Sequence, residues 1–171
     1  GAERSLVNLL QLLDYDRYNV DLLLFQNEGL FLKQVPKAVN IISNCNKLYT
    51  LYDNNKAEAL KHPYLSAIHM IGTFISRKKT NSVAKSRQYR WEHFYKKIVP
   101  ELTKEYDVAI AYMQREQTYF LVDKVKAAKK IAWVHNEYSQ LGHFKEMDLE
   151  YFEKVDKVVT ISDLCAKDLK E

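Results

Sequence analysis

With 171 residues, 47% of them hydrophobic, the chain has the usual size of one domain and enough apolar surface for a sizeable core. It holds no run near the ~20 consecutive apolar residues of a bilayer span and opens on no charged-then-apolar leader, so it reads as neither secreted nor membrane-spanning. Its charge, 26 Lys+Arg against 22 Asp+Glu for a net +4, is too small an excess to imply a nucleic-acid partner, and Cys45 and Cys165 lack zinc-knuckle or redox spacing, which fits a reducing cytoplasm.

In chain order, Gly1-Ala2-Glu3 leads at once into a helix with Leu6, Leu9, Leu10 and Leu13 on one stripe and Glu3 at its positive end. The nearly continuous apolar run from Asn19 to Phe25 predicts a buried strand, followed by a turn at Asn27-Glu28-Gly29. Val39 to Ile42, after Pro36, is a second short strand. Residues Lys56 to Leu102 read as helices interrupted near His62-Pro63 and Thr80-Asn81. The last third alternates: strand Tyr106–Tyr112, helix Gln117–Val125, strand Lys130–Val134, helix Phe144–Val155, strand Lys157–Ile161, helix Asp163–Lys170.

Alternation on this scale implies right-handed crossovers, and so an α/β fold: a Rossmann-like, doubly wound parallel sheet with helices on both faces. Such domains open on a central strand. Here the chain starts where the turn after that strand should end, so a strand is expected to be absent from its front.

Ligands of open parallel sheets sit beyond the carboxyl ends of the strands, which directs attention to four loops: Gly1-Ala2-Glu3-Arg4, Met113-Gln114-Arg115-Glu116, His135-Asn136-Glu137 and Ser162-Asp163. Gly1 either admits a phosphate to the free N–H groups of the first helix or simply turns the chain. His135, directly after a strand, either offers an imidazole to the crevice or is satisfied locally by backbone. Asn136 and Glu137 suit hydroxyl ligands or a solvated loop, and Arg115 with Glu116 forms a surface pair or a substrate clamp. Ser162 or Asp163 is well placed to cap the final helix. His62, His69, His93 and His143 show no metal-ligand spacing, and no Walker loop, G-x-S-x-G elbow or repeated Gly fingerprint occurs; no metal or cofactor is expected.

One segment is anomalous. Arg77, Lys78, Lys79, Lys85, Arg87, Arg90, Lys96 and Lys97 gather between Phe74 and Ile98, interleaved with Phe74, Tyr89, Trp91, Phe94 and Tyr95. This is either a solvated helical face with its aromatics anchored in the core, or a surface that lies on an anionic bilayer with Trp91 and Tyr95 at the boundary. Single-stranded nucleic acid is a weaker third reading, opposed by the modest net charge.

Taken in order, these motifs resemble the N-terminal domain of bacterial family-4 (group 1) glycosyltransferases. Gly1-Ala2-Glu3-Arg4-Ser5-Leu6 is similar to the family's GGAE loop and first helix, and Glu28-Gly29 to Val35-Pro36 to the turn before its third strand. Tyr106 to Ala111 with Lys130 to Glu137 resembles its D-V and H-N/D pair, and Val158 to Ser162 its strand ending in Ser. The resemblance spans nearly the whole of 1–171 as a single acceptor-side domain, one half of a GT-B fold. It implies a retaining, metal-independent enzyme that moves a sugar from a nucleotide-sugar donor, a co-substrate, to a saccharide or lipid-linked acceptor in cell-surface polysaccharide, capsule or lipopolysaccharide synthesis.

His135 is then the expected catalytic residue, with Gly1, Ala2 and Glu3 facing the donor phosphate. Arg4, Arg115, Asn136, Glu137 and Ser162 are expected along the acceptor cleft. A membrane surface is expected at Arg77, Lys78, Lys79, Arg87, Arg90 and Trp91, at the inner face of the cytoplasmic membrane. The first glycine of the GG pair, the preceding strand and the C-terminal donor-binding domain with its Glu-x7-Glu motif are not in this sequence, so this half alone is expected to be inactive. The alternative is a non-catalytic saccharide- or nucleotide-binding α/β module.

Overall fold

A computed structural model describes residues 1–26, 29–42, 46–52 and 60–170. The Asn27-Glu28 part of the predicted turn, Cys45 and the start of the predicted helical region, over 56–59, lie outside them. The chain divides into two compact units, Gly1–His69 and Met70–Glu171.

The first unit opens with α1 (Ala2–Leu12), whose stripe is completed by Val7; Val7 and Leu10 are its buried residues. Strands β1 (Asp21–Leu23) and β2 (Asn40–Ile42) pair in parallel, Asp21 opposite Asn40. Across that register the Asn40 amide donates to the Asp21 carboxylate at 2.8 Å. Both strands are shorter than their apolar runs. Helix α2 (Asn46–Tyr52) follows, its Tyr52 carbonyl accepting from the Gln26 amide at 2.7 Å. Helix α3 (Pro63–Lys79) begins at the predicted His62-Pro63 break and carries the chain from the first unit into the second.

In the second unit, Ser82 caps α4 (Val83–Arg90) by accepting the Lys85 N–H at 3.1 Å, as a serine at a helix start does. The helix continues through a π turn (Trp91–Tyr95) into Lys96–Ile98. Three strands then pair in parallel in the order β3 (Glu105–Ala111), β4 (Lys126–Val134), β5 (Lys157–Thr160), with Ala111 opposite Ala132 and Trp133 opposite Val159. Between them run α5 (Glu116–Lys124) and α6 (Lys145–Phe152), and α7 (Asp163–Lys170) closes the unit.

The described strands thus form two parallel sheets, of two and three strands, where one was expected. Strand β4 also begins four residues before the predicted Lys130. Its amino half, with Lys126, Lys129 and Lys130, is held by the β3 ladder and by Asp156, which accepts from Lys129 Nζ and from the Lys130 N–H, both at 2.8 Å.

Side-chain alternation separates the faces of the larger sheet. Ala111, Ala132 and Val134 are buried on the side of α5, where Lys130 Nζ donates to the Val122 carbonyl at 3.1 Å. Val108, Ile110 and Ile161 lie exposed on the other side, which also carries Tyr112, Trp133 and His135.

The helical side is braced by two carboxylates, Asp148, which is buried, and Asp123, which is partly so. Asp148 accepts from Gln88 Nε2 at 3.1 Å, from the Tyr119 hydroxyl, from the Tyr138 hydroxyl at 2.7 Å and from His143 Nδ1 at 2.8 Å. Gln88 also ties the loop after β4 to α4, accepting the Phe144 N–H at 2.6 Å and donating to the Phe144 carbonyl at 3.1 Å. Burial, with Asp148 accepting their protons, pushes the Tyr119 and Tyr138 hydroxyls far above the ordinary phenol value, so both stay donors. Asp123 accepts from the Trp91 indole at 3.0 Å and from the Tyr151 hydroxyl at 2.7 Å.

This corrects the reading of Trp91 and Tyr95 as bilayer-boundary residues: Trp91 is 0% exposed and Tyr95 is equally enclosed. A π turn inserts one residue into the helical repeat, and both rings point into the core. Arg87 and Arg90 are likewise engaged inside the unit, Arg87 with the Glu116 carboxylate and Arg90 with the Ser86 hydroxyl at 3.1 Å, so neither is a free headgroup ligand.

Candidate functional site

The carboxyl ends of β3 and β4 lie side by side, and each is followed at once by a loop. His135 is the first residue after β4. Its backbone N–H donates to Oε1 of Gln114, in the loop after β3, at 3.2 Å. A backbone N–H needs an acceptor, so this bond fixes which end of the Gln114 amide is oxygen and leaves its Nε2 as the donor end. Gln114 is buried, and among the described residues Nε2 has no partner.

The His135 ring is packed among aromatics. Its centroid lies 4.9 Å from that of Tyr112 and 5.6 Å from that of Trp133, and Tyr112 and Trp133 stack at 4.9 Å with 20° between their planes. Burial lowers the imidazole pKa from its ordinary value, outweighing a hydrogen bond to the Tyr112 backbone that raises it. The ring is therefore neutral at pH 7. Its Nε2 is shielded from solvent and, like Gln114 Nε2, has no partner among the described residues.

Arg115, next to Gln114, is the non-glycine residue with positive φ among those described: φ 73° and ψ −128° at the N-cap of α5. An L-residue there costs about 1–3 kcal/mol, strain that the flanking structure must hold. The surface pair with Glu116, one of the two readings of these residues, is not formed. Glu116 is buried and joined to Arg87, because the first turn of α5 directs it toward α4 and away from the strand end.

Asn136 and Glu137 are exposed; Glu137 lines a depression of about 230 Å³ with Leu164, Lys167 and Asp168. Ser162 acts as a cap: its Oγ accepts the Cys165 N–H at 3.2 Å and its carbonyl accepts the Ala166 N–H at 2.9 Å. A larger depression lies at the opposite, amino end of β3 and β4, between Glu105, Asp107, Lys126 and Lys130, away from His135.

The Gly1 loop belongs to the first unit. Gly1 is the N-cap of α1, its carbonyl accepting the Ser5 N–H at 3.1 Å; no side chain caps this helix, and Glu3 and Arg4 are exposed. Among the described residues no group of three or more His, Cys, Asp or Glu is placed to hold a metal, and no helix is long and apolar enough to cross a membrane.

Gln114 and Tyr112 are the site residues that sequence reasoning passed over. Both had a signal: Tyr112 is an aromatic closing an apolar strand, and Gln114 a carboxamide in the loop already singled out. The Asp148 cluster had none, since its members become neighbours only on folding.

Compared with family models, curated proteins and solved structures, the chain has no match. It is an α/β chain with two small parallel sheets and helices.

Proposed function

We propose that this chain is the acceptor-side half of a glycosyltransferase with a Rossmann-like, doubly wound plan, and that His135 and Gln114 meet the sugar. The observation that carries the reading is the pair of shielded nitrogens without partners, Gln114 Nε2 and His135 Nε2, on residues bonded to each other at the carboxyl ends of adjacent parallel strands. Leaving such groups unpaired costs about 1–3 kcal/mol each, a cost that natural sites carry where a ligand's polar groups complete the bonds. Parallel sheets bind ligands at this end.

The chemistry follows from protonation. The neutral imidazole in its Nδ1–H form would present the unpartnered Nε2 as an acceptor for a hydroxyl proton, while Gln114 Nε2 donates to a hydroxyl oxygen. Tyr112 and Trp133 supply apolar ring surface beside them, which suits the C–H face of a sugar. In transfer, the acceptor oxygen bonds to the donor's anomeric carbon as the bond to the nucleotide diphosphate breaks. The leaving diphosphate needs N–H donors where its charge develops, which a donor-binding domain would supply. No metal or cofactor is part of the proposal.

The test is a screen of nucleotide sugars, UDP-glucose and GDP-mannose first, against the chain joined to its donor-binding domain. His135→Ala and Gln114→Ala are expected to lower turnover at least about a hundredfold and tenfold, respectively. Wild-type turnover in His135→Ala refutes the assignment. Saccharide binding that depends on Gln114 and His135 but comes with no transfer by the joined protein would establish the binding-module reading instead.

A further inference from the structure

Helix α3 has two opposite faces. Leu65, Gly72 and Ser76 are buried; Met70, Ile71 and Phe74 stand 71%, 55% and 62% exposed, at i, i+1 and i+4 on the other side. Exposed methionine, isoleucine and phenylalanine on one stripe need a reason, because a helix that serves only its own core turns polar residues outward.

The same stripe runs into Arg77 and Lys78, and the helix ends on Lys79. All three are exposed, and neither Arg77 nor Lys79 has an acidic partner among the described residues. Lys78 folds its Nζ over the Phe74 ring, 4.4 Å from its centroid, so cation and aromatic form one surface. No Asp or Glu occurs anywhere between Lys61 and Trp91.

From this pattern we infer that the exposed face of α3 from Met70 to Lys79 is a docking surface for an anionic lipid bilayer. Met70, Ile71 and Phe74 enter the boundary between headgroups and acyl chains, and Arg77, Lys78 and Lys79 pair with lipid phosphates and carboxylates. Charge complementarity selects this occupant. A protein partner for a bare apolar stripe has no need of an unbroken basic end, whereas an in-plane helix at an anionic membrane uses apolar and basic contacts together, neither being sufficient alone. The surface is independent of the transfer reading and differs from the sequence expectation in its apolar members, Met70, Ile71 and Phe74 replacing Trp91 and Tyr95.

The purified chain is sedimented with vesicles of phosphatidylcholine alone and with vesicles containing a third phosphatidylglycerol, at 50 and 300 mM NaCl. The expected result is binding to the anionic vesicles only, weakened by salt. Ile71→Ser with Phe74→Ser, at solvent positions and checked for folding by circular dichroism, is expected to lower partitioning about tenfold or more. Arg77→Gln with Lys78→Gln and Lys79→Gln is expected to lower it roughly a hundredfold at the lower salt. A control with the same change in net charge, Lys33→Gln with Lys37→Gln and Lys126→Gln, is expected to stay within about threefold.

Four outcomes overturn the inference: no binding to either vesicle, equal binding to both, the control losing as much as the α3 basic variant, or self-association in solution that the apolar variant abolishes.

Discussion

Removing the Asp148 carboxylate should reveal how far the second unit depends on a single charge. Four buried donors, from Gln88, Tyr119, Tyr138 and His143, converge on it. In Asp148→Ala the Tyr138 hydroxyl and His143 Nδ1 lose the acceptor shown for them, and only Gln88 keeps alternatives, in the Tyr119 hydroxyl at 2.9 Å and the Phe144 carbonyl. Hydrogen bonds to a charged group contribute about 1.5–3 kcal/mol each, and stranding a buried polar group costs about 1–3. Allowing for relaxation and the Gln88 alternatives, a net loss of about 3–5 kcal/mol is expected, a large share of the ~5–15 that holds a domain together.

Asp148→Asn, which keeps the shape and one acceptor, should lose roughly half as much. The assay is urea unfolding followed by tryptophan fluorescence. Trp91 and Trp133 are the chain's two tryptophans and both lie in the second unit, so the signal reports on that unit. With an m-value of about 1–3 kcal/mol/M, the midpoint should fall by roughly 2 M in the alanine variant. A fall below about 0.5 M, or equal losses in the alanine and asparagine variants, would refute the argument that the charge organises the cluster.

Arg115→Gly should leave the urea midpoint unchanged or raise stability by up to about 2 kcal/mol, since relief of the positive φ outweighs glycine's entropy, and Arg115→Ala should gain nothing. A loss above about 1 kcal/mol in the glycine variant would mean that the guanidinium itself is structural. Glu116→Ala, which removes the carboxylate from Arg87, should cost about 1–3 kcal/mol by the same measurement, less than for a fully enclosed pair because Arg87 reaches solvent. A neutral result would contradict the pairing. The His135 pKa lies below its ordinary value when folded, so on acidification the unfolded chain takes up this proton first; stability present at pH 7.5 is lost as pH falls through about 6.5 and below. His135→Asn should therefore show a smaller drop in midpoint between pH 7.5 and 5.5 than the parent, and identical drops would show that the ring is not shielded.

Strands rich in Val, Leu and Ile were legible in order because a short apolar run between polar turns has few other uses, and Asp163–Lys170 was read to its exact ends because Ser162 marks its start. Where burial is one-sided the reading failed. The amino half of β4 is lysine-rich and is a strand only because β3 and Asp156 hold it there. Trp91 and Tyr95 sit in a basic run that looks like a surface, yet the π turn that rotates them inward leaves no periodic trace in the sequence. At the site, His135 was visible from its place after a strand. Gln114 was not given a role, since an amide acquires one only when a backbone N–H takes its oxygen. The sequence left Arg115 and Glu116 as a surface pair or a substrate clamp; adjacent residues at a helix start point apart, and the partner of Glu116 proved to be Arg87.

On the proposed function, the second unit divides stability and chemistry between the two faces of its sheet. On the helical face, Ala132 and Val134 are sealed under α5, and Asp148 and Asp123 clamp α4, α5 and α6 to one another. That side fixes where β4 ends. Trp133 and His135, displaced by one residue along the same strand, emerge on the other face, where no comparable clamp exists among the described residues. A strand end held rigidly from one side suits the proposed site: the backbone of His135 is positioned by elements that do not touch its ring, and the ring packs against Tyr112 and Trp133, which contribute nothing to those clamps.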